Sequence, residues 1–110
     1  MQILIEEHDK ALALKLSGHL GHASVDELAK VFDEKIGQGR NNFIVDMQDL
    51  QYISSAGLRC LLQASSKVSQ LSGKIVLCGL QPEVKQIFDV SGFTSLFPTY
   101  DTLHKALNHI

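Results

Sequence analysis

The run Phe43-Ile44-Val45-Asp46-Met47 constrains this chain more than any other stretch. Successive side chains of a strand point to opposite faces of the sheet, so a run apolar at nearly every position needs cover on both sides. Such a strand belongs in the middle of a largely parallel sheet. Ile75-Val76-Leu77-Cys78 has the same character. Between the two runs the period changes. Leu58, Leu61, Leu62, Val68 and Leu71 fall at helical spacing and predict one buried helix face, with Gly73 as the stop. Strands alternating with helices predict an α/β layer fold.

The rest of the chain extends this pattern. Residues 3–7 and the alternating Leu12, Leu14 and Leu16 predict two strands, close enough across His8-Asp9-Lys10 to form a hairpin. That hairpin makes the sheet mixed. Residues 17–22 read as a loop. Ser24-Val25-Asp26-Glu27 has the spacing of a capping box, opening a helix with Val25, Leu28, Ala29, Phe32 and Ile36 inward and Gly37 and Gly39 at its end. Residues 48–53 read as a loop before a helix that begins at Ser54-Ser55. Gln81-Pro82-Glu83 opens a third helix, with Val84, Ile87 and Phe88 inward and Gly92 closing it. Leu96-Phe97-Pro98 predicts a short edge strand. Asp101 is the expected cap of a last helix with Leu103, Ala106, Leu107 and Ile110 inward. The expectation is one domain over residues 1–110, a mixed, mostly parallel sheet of four to five strands with about four helices packed on it.

Composition narrows the function. Ten Lys and Arg against twelve Asp and Glu give a formal charge of −2, so no basic excess draws the chain to nucleic acid or to an anionic membrane surface. Apolar runs are too short to span a bilayer. The start, Met1-Gln2-Ile3-Leu4-Ile5-Glu6-Glu7, lacks the basic region of a signal peptide, and a cytoplasmic location is expected. Cys60 and Cys78 both sit in apolar patterns and read as reduced core thiols.

Catalytic patterns are weak. His19 and His22 lie in one loop, but a zinc site needs three or four convergent ligands, and no metal is expected. Gly18-His19-Leu20-Gly21 lacks the spacing of a dinucleotide or phosphate loop. Ser55 has no Gly two residues before it, as a nucleophile elbow requires, and no histidine is placed to act as its base. Ser54 or Ser55 could serve simply as a helix N-cap. The same position also suits a phosphorylated serine, because free amides and the positive dipole end accommodate an anion. Asp46, read as a strand-end residue, either bonds loop amides or supports an acceptor beside it.

The stretch from Asp46 to Arg59 carries the strongest signal: Asp46, the pair Tyr52-Ile53, and Ser54-Ser55-Ala56-Gly57-Leu58-Arg59 opening a helix. Here the chain resembles a STAS domain of the bacterial anti-sigma factor antagonist type. Leu16-Ser17-Gly18-His19-Leu20, Gly73-Lys74-Ile75-Val76-Leu77 and Val84-Lys85-Gln86-Ile87-Phe88 extend the resemblance over nearly the whole chain. The resemblance implies a binding protein rather than an enzyme. Its partner would be an anti-sigma factor that is also a serine kinase, with Mg-ATP held by that partner alone. Ser55 would be the phosphoacceptor, with Asp46 in support. The unmodified form would bind the anti-sigma factor and free the sigma factor, and a serine phosphatase would reset the switch. The docking face would combine Ser54, Ser55, Ala56, Gly57, Leu58 and Arg59 with Gly18, His19, Gly21 and His22. Many relatives carry Asp where this chain has Gly21. The alternative is a STAS subunit of a transporter or signalling assembly, with Ser55 unmodified.

Overall fold

The two runs apolar on both faces lie side by side at the middle of one five-stranded sheet. The computed structural model describes every residue, Met1–Ile110. The elements are β1 (Gln2–Glu7), β2 (Leu12–Leu20), α1 (Val25–Gly37), β3 (Asn42–Ile53), α2 (Ser55–Ser69), β4 (Lys74–Cys78), α3 (Pro82–Ser91), a 3-10 turn (Phe93–Leu96), β5 (Thr99–Tyr100) and α4 (Leu103–Asn108). The sheet order is β1-β2-β3-β4-β5. β1 runs antiparallel to β2, and the other neighbours are parallel.

Sequential order has a geometric consequence. Each parallel crossover steps in the same direction along the sheet, and right-handed crossovers then place every connecting helix on the same face. Leu28 and Phe32 of α1, Leu58, Leu61 and Val68 of α2, and Val84 and Phe88 of α3 accordingly share one core with Leu12, Leu14, Leu16, Phe43, Val45 and Met47. Phe32 meets Phe43 edge-on, with ring centroids 5.3 Å apart. Only α4, which follows the last strand, is free to cross to the opposite face. There Ala106 closes a smaller cluster with Ala11, Ile44, Val76 and Cys78. The thiols of Cys60 and Cys78 are free and buried.

Several expected boundaries move. β2 and β3 run on to Leu20 and Ile53, through both stretches read as loops. The cause is a pair of irregularities in their ladder. Lys15 faces Asp46 and Ser17 faces Asp49; Gly18 faces Leu50 and His19 faces Tyr52. At each step β3 spends one residue more than β2, which is a bulge. Burial along β3 then falls at Met47, Leu50 and Ile53, every third residue. That spacing matches neither a strand nor a helix, so the pattern hid the strand.

Ser24 forms no capping box. Its hydroxyl donates to the His19 carbonyl at 3.0 Å and accepts from the Gly21 amide at 3.0 Å, holding the turn before α1 instead. α2 ends at Ser69, and Leu62 and Leu71 are exposed; Cys60 and Ala64 fill the core-facing positions. The edge strand follows Pro98 rather than containing it, because residues 93–96 wind into the 3-10 turn. The cap of α4 is Thr102, whose hydroxyl accepts from the Lys105 amide at 3.1 Å, and not Asp101.

The turn after α2 packs tightly against the turn before β3. The Lys74 amide donates to the Asn41 carbonyl at 3.0 Å, and a side chain at Gly73 would run into that same carbonyl. Gly73→Ala should therefore cost about 3 kcal/mol, the upper end for overpacking against parts that cannot move aside. Urea unfolding measures this as a lowered midpoint at unchanged slope. The buried thiols give a second expectation. Burial raises Cys60 to about 11 and Cys78 to about 12, with the Asp46 charge adding to the rise at Cys78. Neither should react with a thiol reagent at about pH 8 in the native state, while both should react once denaturant unfolds the chain.

Candidate functional site

The site forms where β2 and β3 end side by side. Leu20 faces Ile53, and the ladder gains one further rung beyond the strands, from the Ser54 amide to the Leu20 carbonyl at 2.8 Å. The chain then turns directly into α2. Ser54 is its N-cap, in extended backbone geometry, and its hydroxyl accepts from the Gly57 amide at 3.2 Å. Ser54 is only 7 % exposed.

The first turn of α2 sits on the strand ends with no room between. A Cβ at Gly57 would come within 2.8 Å of Ile53 Cγ1 and 2.9 Å of Leu20 Cγ. Gly57 is thus needed for close approach, and Leu58 reaches into the core beside it. Ser55 takes the first helical position and points outward, exposed, with no hydrogen bond to its hydroxyl. Arg59, one turn on, is also exposed, and Ala56 is half-buried. The two serines, equivalent on paper, therefore divide the work: Ser54 holds the helix start and Ser55 is left free. No acidic side chain lies in the first turn of α2, so its positive end is not neutralised locally.

The second expected segment does lie alongside. His19 pairs with Tyr52 across the strands, their rings tilted with centroids 6.3 Å apart. Gly18 holds a positive φ of 92° in β2, opposite the bulged part of β3. Gly21 and His22 continue into the turn beyond Leu20, next to the Ser54 rung. Of the residues expected to form a docking face, His19, His22, Ser55 and Arg59 are exposed, whereas Ser54, Gly57 and Leu58 act from beneath.

Asp46 does not join them. It lies within β3 rather than at its end, opposite Lys15 on one side and Cys78 on the other. Its Oδ1 accepts from the Gln48 amide at 3.1 Å, so it bonds a bulge amide. Ser54 lies eight residues further along the chain, a separation of at most about 26 Å at about 3.3 Å per strand residue. Its carboxylate is engaged at the Gln48 amide, away from the start of α2. Sequence reasoning also missed the solvent-facing residues of β3 beyond Asp46, of which Tyr52 meets His19. The bulges turn Gln48, Asp49, Gln51 and Tyr52 to solvent. Gln48, Asp49 and Gln51 line an open polar groove with Gln81 and Glu83, and the Gln81 side-chain amide donates to the Gln48 carbonyl. The signal for them was the threefold spacing of Met47, Leu50 and Ile53. No three His, Cys, Asp or Glu side chains converge as metal ligands, and no helix is long and apolar enough to cross a membrane.

Comparison with known proteins fixes the family. The STAS domain model matches residues 2–106. The chain belongs to the STAS domain family. BtrV of Bordetella bronchiseptica, named as a candidate anti-sigma factor antagonist, is 33 % identical over 106 residues, covering 96 % of this chain and 91 % of that one. An anti-sigma F factor antagonist of Paenibacillus polymyxa is 30 % identical over 111 residues, covering 100 % of this chain and 95 % of that one. Among solved structures, the anti-sigma factor antagonist SpoIIAA in its unphosphorylated form superposes with a TM-score of 0.86 at 20 % identity, over 98 % of this chain and 95 % of that one. The phosphorylated form of SpoIIAA, described as a Bacillus cell fate determinant, gives 0.77 at 20 % identity, over 98 % of each chain. At that identity the likeness is one of fold.

The two serines of the STAS helix should separate in a stability measurement. Ser54→Ala removes a buried cap and should cost about 1 kcal/mol, whereas Ser55→Ala should stay within about 0.5 kcal/mol of the parent. Denaturant titration of both variants checks the division.

Proposed function

We propose that this STAS domain is an anti-sigma factor antagonist, and that phosphorylation of Ser55 controls its hold on the anti-sigma factor. The observation that carries this reading is the free, outward-facing hydroxyl of Ser55 at a helix start whose capping is already done by Ser54. Phosphorylation at Ser55 costs the fold no cap. The family membership and the names of the relatives supply the partner class.

In the unmodified state the partner docks over Ser55, Arg59 and the neighbouring turn with His19 and His22. The partner anti-sigma factor is the serine kinase and holds Mg-ATP. The Ser55 oxygen attacks the γ-phosphorus, a new O–P bond forms, the bond to ADP breaks, and the kinase accepts the hydroxyl proton. The domain contributes position and no catalytic group. The added phosphate carries about −1.5 to −2 charges. The helix N-terminus tolerates that charge within the domain, while the docked surface must desolvate it or repel it. Binding is lost, and a serine phosphatase restores the hydroxyl.

Affinity capture with the cognate kinase, followed by phosphopeptide mapping, tests the acceptor: the dominant site should be Ser55, and a main site at Ser54, Ser24 or Ser17 would sink the assignment. Titration against the same partner tests the gating. Ser55→Ala should bind as the parent does and escape modification. Ser55→Asp places a charge in the interface, where an unpaired charge costs about 2–5 kcal/mol, a loss of roughly 30-fold to several-thousand-fold. The smaller figure is expected, because Asp carries less charge than phosphate. Melting curves should match the parent, since Asp is well tolerated at a helix start. A folded Ser55→Asp variant and a truly phosphorylated domain that both bind as tightly as the parent would end the gating model.

A further inference from the structure

The two edges of the sheet are not alike. β5 is two residues long, preceded by Pro98, and offers almost no ladder. β1 is six residues long, pairs with β2 in an unbroken register, and has neither Pro nor a bulge within it, two of the devices that usually blunt an edge; its charges, Glu6 and Glu7, are confined to its C-terminal end. Its outer N–H and C=O groups have no partner, and two of its aliphatic side chains are open to water: Leu4 at 60 % and Ile5 at 39 %. They lie on opposite faces of the sheet. Ile5 faces Leu14 on the side of α1, α2 and α3; Leu4 faces Lys15 on the side of α4. Neither helix layer overhangs this edge enough to cover them.

We infer that the free edge of β1 pairs with the β1 edge of a second copy of this chain, antiparallel about a two-fold axis at Leu4. The register follows from the residues. A two-fold axis normal to the sheet keeps each side chain on its own face, so facing residues must have the same parity. Centring on Leu4 stacks Leu4 on its copy, sets Ile3 against Ile5, and places Gln2 opposite Glu6. The pairs over residues 2–6 then match in character, Glu7 falls opposite Met1 at the rim, and the acids stay apart. Centring on Ile5 sets Leu4 against Glu6. Centring on Ile3 sets Gln2 against Leu4 and leaves both acids without a partner strand. Centring on Glu6 brings like charges face to face. The paired sheets would have ten strands and a single isologous interface. A five-residue ladder, Gln2 to Glu6 on each copy, with two layers of aliphatic contact is small, below the area of a standard permanent interface, so the association should be weak and concentration-dependent.

Sedimentation of the purified, unmodified domain from about 10 µM to about 1 mM tests the pairing, the range in which small interfaces assemble. The mean mass should rise toward twice the monomer mass. Amide exchange at the high end should show the outward-facing β1 amides gaining protection while β5 is unchanged. Leu4→Lys, at an exposed position and therefore compatible with the fold, should weaken self-association at least tenfold. Val90→Lys, on the 81 % exposed Val90 of α3, should leave it unchanged. A monomer at every concentration would overturn the inference, including the case in which this edge takes a strand from a different protein. So would self-association that leaves the β1 amides unprotected, or that Val90→Lys abolishes as effectively as Leu4→Lys. None of these readouts involves the anti-sigma factor or Ser55, so the outcome is independent of the function proposed above.

Discussion

The Ser54 amide bonded to the Leu20 carbonyl at 2.8 Å sets the geometry on which the site depends. It extends a parallel ladder one residue past the strands and straight into a helix. With that rung fixed, the Ser54 side chain can only turn inward to the Gly57 amide, and the next residue must point away from the sheet. Gly57 completes the constraint. Its missing Cβ lets the first turn of α2 rest on Ile53 and Leu20, so the helix start is held by packing as well as by the cap. The exposure of Ser55 therefore follows from a carbonyl on β2, a side chain on β3 and a glycine in the helix.

The architecture around this point is economical in its rules. Sequential strand order and right-handed crossovers send α1, α2 and α3 to one face, and all the helices that follow parallel strands start at the same end of the sheet, beyond the strands' C-termini. The turn before α1 and the start of α2 are neighbours for that reason alone. The helix-bearing face needs large side chains and has them in Phe32, Phe43 and Phe88. On the opposite face α4 lies on Ile44, Val76 and Cys78 of β3 and β4, flanked by Ala11 and by Tyr100 of β5. β1 and the outer part of β2 keep an ion pair there instead, with Lys15 Nζ 3.0 Å from Glu6 Oε2. This pair raises the Lys15 pKa and lowers that of Glu6. Both groups are solvated, so it adds little to stability.

What could be read in the sequence was whatever followed an ordinary period. Phe43 to Met47 and Ile75 to Cys78 placed the central strands; Pro82 and Gly92 placed α3 within a residue at each end. Serine residues were ambiguous because a hydroxyl at a helix start has several amides within reach. Ser24 stands in a capping-box sequence, yet it bonds backward to His19 and Gly21. Ser54 belongs to no such box and caps its helix. Leu62 and Leu71 fit a helical stripe on paper. Cys60 and Ala64 took the core positions instead, because α1 approaches α2 from the side they occupy. Asp46 was misplaced for a different reason: a charged residue after an apolar run resembles a strand end, and nothing local reveals that the strand continues past it.

The bulges in β3 join these two themes. A regular strand from Asn42 to Ile53 would alternate faces, and the buried sites would number two residues apart. With two extra residues the strand buries Met47, Leu50 and Ile53 and turns the pairs between them toward water. The extra length delivers Tyr52 opposite His19 and presents Asp49 and Gln51 beside the start of α3. It also adjusts where β3 ends relative to β2, so that Ser54 meets the Leu20 carbonyl. Bulges add local twist and re-aim side chains at the cost of ladder regularity. Here that cost falls on the part of β3 nearest the site, while Phe43–Asp46 keeps a regular register with both neighbouring strands. Irregularity that blurs the sequence pattern is thus the same irregularity that turns Gln48, Asp49, Gln51 and Tyr52 to solvent.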